Sequence, residues 1–390
     1  MKIGILTHYC NSTNYGGNLQ AYALCKVLEE MGHQPEQLQI DHATCYQNLL
    51  NPQSRGLKRK LKNLAKPVAR LLIPSYRKKW QGQKAERQRL AAAFFRFNRQ
   101  LIPHSREVYT PKTVKTALSR YDAFITGSDQ VWNPIWYFPP FFLDFVPSNV
   151  PKLSYAASIG QSSLPEAVGQ RYRAHLQDFI GVSVREEDAV GLLRGIAPGE
   201  VRCVLDPTML LSRQQWQAVG ETPSLETPYV FCYFLGNDPV CRRLAAEYAK
   251  TQGLTLVTIP NATGQQNSND KDFGDVRLAD PSPEAFLGLI EGAAFVFTDS
   301  FHATVFSLIF GRQFAAFPRL GHGSSRITTL LEMFRAADRF CGDEAKQTLS
   351  HVQTLAPLPA DALPETFTQA QYSSRAWLET TLQKAKEMLQ

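Results

Sequence analysis

The stretch AAFVFTDSFHATVFSLIFGRQFAAFP, residues 293–318, decides how the chain folds. Two short apolar runs, AAFVFTDS (293–300) and QFAAFP (313–318), flank a segment near 302–310 that reads as a helix. Short apolar runs that end in small or polar residues, with a helical segment between them, describe parallel strands buried on both faces of a sheet. Asp299, Ser300 and His302 interrupt the apolar sequence where the first strand hands over to the helix, and core sequence rarely interrupts itself that way.

The same alternation extends outward. YVFCYFLG (229–236) and LTLVTIPN (254–261) are strand candidates, with helices near 239–251, 282–291 and 324–334. Toward the N-terminus, KIGILT (2–7) reads as a buried strand, followed by the turn-rich HYCNSTNYGGNLQ and a helix closing at Met31-Gly32. A strand near 37–41 follows, then YDAFITGSD (121–129), KLSYAASIG (152–160), GVSVRE (181–186) and RCVLD (202–206), with helices over 165–179 and 187–194. The prediction is an α/β protein of two doubly wound, Rossmann-like domains facing each other across a cleft, with ligands at the carboxyl ends of the strands. The first domain is expected to span 1–206 with a basic helical insertion at about 50–112. The second is expected to span 207–370, with a helix over 371–390 packing back on the first.

Composition narrows the class. A chain of 390 residues suggests two domains, and 44% hydrophobic with 20% charged residues fits a folded globular protein. The N-terminus lacks the apolar core and cleavage site of a secretory signal, and no apolar run approaches a membrane span, so a cytoplasmic location is expected. Seven scattered cysteines without a C-x-x-C pair argue against a disulfide framework and against a zinc site.

Candidate site residues cluster at predicted strand ends. A helix that starts after a strand offers unpaired N–H groups and a positive dipole end to an anion. Asp299 and Ser300 are placed to cap that helix, with His302 in its first turn at the mouth of the cleft. Capping and a packed histidine would explain these three residues alone; other segments add to them. Arg185 ends the strand GVSV and projects toward the cleft, with a salt bridge to Glu186, Glu187 or Asp188 as its other possible use. RLGHGSSRI (319–327) carries Arg319, then Ser325 and Arg326 at a helix start, where an arginine opposes the dipole unless an anion is bound. GSDQVWNP (127–134) leaves a strand with Asp129, Gln130, Trp132 and Asn133 in a loop, a site segment or a capped turn with a packed tryptophan. Gly16 and Gly17 allow either close packing or ligand contact.

The set YDAFITGSDQVWNP, YAASIG, VSVREEDAV, VLDPTMLL and TDSFHATVFSLIFGRQF, in this order and spacing, resembles the polysaccharide pyruvyl transferase family. The resemblance covers nearly the whole chain except the basic segment and the C-terminal tail. It implies a GT-B-like fold, with the first domain on the acceptor side and the second on the donor side, and transfer of the enolpyruvyl unit of phosphoenolpyruvate onto a pair of sugar hydroxyls, giving a pyruvate ketal and free phosphate in cell-surface or exopolysaccharide synthesis. Phosphoenolpyruvate is then a co-substrate, and no cofactor or metal is expected. By resemblance Arg185 is the family's cleft arginine and His302 its S-x-H histidine, while Arg326, with Arg319 as competitor, is the basic residue of the later loop. Guanidinium forks suit phosphate and carboxylate, and a histidine can protonate carbon 3 of the enol or hold the phosphate. Asp129 is the candidate acceptor of the sugar hydroxyl's proton; Ser300, Ser325, Gly16, Gly17 and Asn18 complete the proposed substrate contacts. NYGGNLQAYAL departs from the family by placing Asn18 and Gln20 where many members carry an aspartate.

The +7 net charge is concentrated between Arg55 and Arg99, where fifteen Lys or Arg face one acid, Glu86. Leu57, Leu61, Leu64, Val68, Leu71 and Leu72 keep helical spacing among these cations, so residues 55–79 could lie on an anionic membrane surface near a lipid-linked glycan acceptor, or form a solvated insertion. No motif points to nucleic acid. A nucleotide-sugar glycosyltransferase on the same architecture, or a non-catalytic glycan- or anion-binding module, are the competing functions.

Overall fold

In the computed structural model, residues 1–40, 45–51, 74–260, 267–319, 324–358 and 364–390 are described. The first half contains β1 (Lys2–Leu6), α1 (Tyr15–Glu30), β2 (Gln34–Ile40), α2 (Pro74–Leu101), β3 (His104–Tyr109), β4 (Ala123–Thr126), β5 (Lys152–Ser154), α3 (Glu166–Leu176), β6 (Val182–Val184), α4 (Glu187–Leu193) and β7 (Val201–Cys203). The second contains α5 (Arg213–Gln217), β8 (Tyr229–Tyr233), α6 (Pro239–Gln252), β9 (Thr255–Thr258), β10 (Val276–Arg277), α7 (Pro283–Glu291), β11 (Phe295–Thr298), α8 (Phe301–Ile309), β12 (Phe314–Ala316), α9 (Ser325–Met333), α10 (Leu349–Thr354) and α11 (Glu365–Met388).

Strand order is β3-β2-β1-β4-β5 in one sheet and β10-β9-β8-β11-β12 in the other, so the two halves share one winding. The strand pairings of both sheets are parallel. Parallel strands covered by helices on both faces need apolar side chains on both, and β4, β8, β11 and β12 are buried throughout. Bridges Leu153 to Gly181 and Ala157 to Val184 carry the first sheet on into the β6-β7 pair. In each half the winding reverses between two adjacent strands, β1 and β4 or β8 and β11. The loops leaving those strands open into a crevice, the usual ligand position of an open α/β sheet.

The halves are joined by packing. Tyr15 of α1 stacks on Phe286 of α7 at 4.3 Å between ring centroids and donates its hydroxyl to the Pro281 carbonyl at 2.8 Å. Helix α11 starts six residues before the expected 371 and runs back over the first half. There the Leu205 N–H donates to Ser374, Gln371 donates to the Met209 carbonyl, and Arg375 pairs with Glu30.

One reading of the basic region is corrected: residues 104–109 form β3, the edge strand of the first sheet, rather than part of a helical insertion. HSREVY alternates buried and exposed side chains, and its exposed Arg106 and half-buried Glu107 disguise a strand of period two. Residues 57–72 lie outside the described residues, and α2 begins at Pro74. No helix of the described residues is long and apolar enough to cross a membrane.

Trp216 of α5 is fully buried, contacts Tyr22 of α1 and Phe306 of α8, and donates its indole N–H to the Thr208 carbonyl at 2.9 Å. It therefore packs against both halves at once. Trp216→Ala is expected to lower unfolding free energy by about 3–5 kcal/mol in urea denaturation, and Trp216→Phe by less.

Candidate active site

All four switch-point loops meet at one cavity of about 380 Å³. The loop after β1 contributes His8, Cys10, Asn11, Ser12 and Asn14; the loop after β4, Asp129 and Gln130; the loop after β8, Leu235; and the β11–α8 junction, Asp299, Ser300, Phe301 and His302. Arg319 and Arg326 close it from the second half, with Tyr46 and Trp136 from the first.

Beneath the cavity lies a buried ionic network. The Arg185 guanidinium donates from Nη1 to Asp206 at 2.6 Å and from Nη2 to Asp129 at 2.9 Å, with a Glu186 oxygen 3.9 Å from Nε. The Phe301 ring covers it at 4.8 Å. Asp206 also accepts from Ser128 at 2.7 Å and from the Thr208 hydroxyl and N–H. Burial disfavours the Asp206 carboxylate, but His302, Arg185 and Thr208 outweigh it and hold the group well below the usual carboxylate range. Asp129 behaves alike: burial raises it, and Arg185 first, then His302, His8 and Arg326, bring it below its ordinary value. Its backbone is left-handed, φ 54°, a conformation uncommon outside glycine.

His302 sits in the first turn of α8, where Ser300 supplies the cap by accepting from the Ala303 N–H at 3.4 Å. Its Nε2 lies 3.8 Å from Asp206, too long for a hydrogen bond, and has no hydrogen-bond partner among the described residues. The ring is seated against α1 of the other half. A methyl group at Gly16 would stand 1.9 Å from Nδ1, so only glycine admits the imidazole there.

Two further cations face the cavity. Among the described residues neither Arg319 nor Arg326 makes a hydrogen bond or an ion pair. Burial first, then repulsion by Arg185, pushes the Arg326 guanidinium below its ordinary value, the condition a bound anion would relieve. Asp299 does not cap α8 as expected. Its two oxygens accept the N–H groups of Leu235 at 2.6 Å and Gly236 at 2.7 Å, because the chain leaving β8 reaches it first. Burial nonetheless raises its carboxyl above the usual range, despite those two bonds.

The fold thus gathers Asp129, Ser300, His302, Arg319 and Arg326 on one cavity, with Arg185 behind them. It does not bring Gly16, Gly17, Asn18 or Ser325 to that lining. Gly16 makes room for His302, and a methyl group at Gly17 would meet the His8 carbonyl at 2.4 Å, so both glycines serve close packing. Asn18 is buried and donates to the Ser12 and Asn14 carbonyls. Ser325 gives its carbonyl to the Thr328 hydroxyl. Arg185 pairs with remote carboxylates rather than chiefly with Glu186, whose Oε1 instead accepts from Ser158, Ile159 and Gly160. Trp132 and Asn133 are structural: the indole N–H donates to the Phe141 carbonyl and Asn133 caps the turn at Ile135. Sequence reasoning did not single out His8, Tyr46 and Asp206. Their positions after β1, β2 and β7, at carboxyl strand ends, were the available signal.

The sequence model of a family described as polysaccharide pyruvyl transferase matches residues 14–320. No curated protein sequence matches. Among solved structures, UDP-N-acetylglucosamine 2-epimerase from Rickettsia bellii is similar at TM-score 0.54 and 11% identity, over 99% of this chain and 97% of that one. UDP-GlcNAc 2-epimerase from Methanocaldococcus jannaschii, in complex with UDP-GlcNAc and UDP, is similar at 0.52 and 10%, over 98% and 100%. The enzyme of that name from Neisseria meningitidis, bound to UDP-GlcNAc, is similar at 0.51 and 12%, over 98% and 100%. At such identity the likeness shows the fold alone, two Rossmann-like domains in the GT-B arrangement. With its motifs set around one interdomain cavity and a family match over most of its length, the chain belongs to the polysaccharide pyruvyl transferase family.

Proposed function

We propose that the protein transfers the enolpyruvyl unit of phosphoenolpyruvate onto two hydroxyls of a saccharide, releasing phosphate and closing a pyruvate ketal. The observation that carries this reading is the pair of guanidiniums, Arg319 and Arg326, which make no hydrogen bond or ion pair among the described residues, on the same cavity as an imidazole whose Nε2 has no hydrogen-bond partner among them. A small polyanion is the ligand such a pair lacks. Arg185 is the less direct candidate, since its charge is already matched by Asp129 and Asp206. It supports the site by fixing those carboxylates.

His302 gives its proton to carbon 3 of the enol, which leaves carbon 2 electron-poor and open to the first sugar hydroxyl. Phosphate then departs from carbon 2, and the second hydroxyl takes its place. One hydroxyl proton replaces that lost by His302 and the other leaves with the phosphate, so the transfer is proton-neutral overall. Asp129 is a weak choice for the base: its ion pair with Arg185 stabilises the carboxylate and lowers its basicity.

Three outcomes follow. Phosphoenolpyruvate at about 100 times its Kd raises stability by about 2.7 kcal/mol; thermal shift should show this, Arg319→Ala with Arg326→Ala should abolish it, and UDP-sugars should give none. A shift with UDP-sugars alone sinks the proposal in favour of a glycosyltransferase. His302→Ala should retain the melting temperature and lose on the order of 10²–10⁴ in phosphate release with a saccharide acceptor. Gly16→Ala should displace the imidazole and cost on the order of 10² in kcat, with phosphoenolpyruvate binding retained.

A further inference from the structure

The proposed transfer needs a group that takes the sugar hydroxyl's proton, and the carboxylates on the cavity are poorly suited. Asp129 is held by Arg185, and both oxygens of Asp299 accept backbone N–H groups. On the first-half wall of the same cavity stands a different pair, His8 and Tyr46.

The hydrogen bonds of His8 set its tautomer. Nε2 lies 3.1 Å from the Gln130 carbonyl, which can only accept, so Nε2 carries the proton and donates. Nδ1 of the neutral ring is then a lone-pair acceptor, and the Tyr46 hydroxyl, 2.9 Å away, donates to it. Phe141 packs edge-on against the imidazole at 4.4 Å between centroids and keeps the ring in this orientation. The Asp129 carboxylate interacts electrostatically with His8, so a second proton on His8 would meet a negative charge.

We infer that Tyr46 and His8 form a proton relay that receives the acceptor hydroxyl's proton in the transfer proposed above, on which this inference rests. As the sugar oxygen bonds to carbon 2, its O–H bond breaks toward Tyr46 Oη, and the Tyr46 proton moves to His8 Nδ1. The imidazolium returns that proton by the same path to the departing phosphate. The proton of the second hydroxyl follows the relay and is exchanged through solvent for the one His302 gave to carbon 3. Burial, and then the charge of Asp129, push the Tyr46 phenol above its usual range, so it passes a proton in concert instead of resting as a phenolate. Tyr46 is the catalytic member, taking the hydroxyl proton at Oη; His8, which lines the same cavity, acts through it.

The test uses the full-length protein with phosphoenolpyruvate and saccharide acceptors. Tyr46→Phe removes Oη and keeps the ring, and His8→Gln keeps hydrogen bonding without a group that titrates. Each should lower phosphate release by on the order of 10²-fold while phosphoenolpyruvate still raises the melting temperature as in the wild type. Nitrogen-15 NMR of the His8 ring should show a protonated Nε2 and a hydrogen-bonded, unprotonated Nδ1, and Tyr46→Phe should shift the Nδ1 resonance. Either variant turning over within about twofold of the wild type, or a proton resting on Nδ1 of the neutral ring, overturns the relay and leaves the pyruvyl reading standing. A wild type that neither binds phosphoenolpyruvate nor releases its phosphate overturns that reading and the relay with it.

Discussion

A guanidinium buried between two domains is the constraint around which this protein is organised. The Arg185 side chain is only 1% exposed, and removing such a charge from water costs several kcal/mol unless good partners surround it. Those partners come from separate loops: Asp129 after β4 and Asp206 after β7, with the Phe301 ring of the second half laid over the cation. Satisfying one charge thus fixes the ends of several strands against one another. Asp206 then extends the arrangement to Ser128, to the turn at Thr208 and, at 3.8 Å, to His302.

The matching strand order of the two sheets explains why a cavity lies above this network. Each half reverses its winding once, and each reversal leaves a gap between diverging loops. Packing of Tyr15 on Phe286, with Trp216 between α1 and α8, sets the two gaps face to face. The chemistry is divided accordingly. Both halves supply a carboxylate and serine hydroxyls, while the two cations and the imidazole of His302 come from the second and the side-chain amides and the His8–Tyr46 pair from the first.

The period of apolar residues made most strands and helices of both halves legible, though not the short β10, α5 and α10, because a parallel sheet covered on both faces leaves a strong local signature. Strand β3 escaped notice because its polar side chains alternate at the sheet edge. His302, Arg319 and Arg326 could be singled out from positions at strand ends and helix starts. What their neighbours do could not: Arg185 meets carboxylates 56 and 21 residues away, and no local pattern distinguishes those from the adjacent Glu186. Asp299 shows the same limit. Its residue type announced a cap, but which N–H groups it reaches depended on the path of a strand more than sixty residues earlier.

The contact between His302 and Gly16 bears on motion. The imidazole belongs to the second half and the bare stretch of helix it leans on to the first; likewise Phe301 belongs to the second half and the Arg185 cation beneath it to the first. Any hinge rotation that widens the crevice must therefore lift the ring from its seat and uncover Arg185 in the same movement. In the transfer proposed for this site, proton donation by His302 would thereby be tied to closure, and a gaping molecule would hold the imidazole out of register.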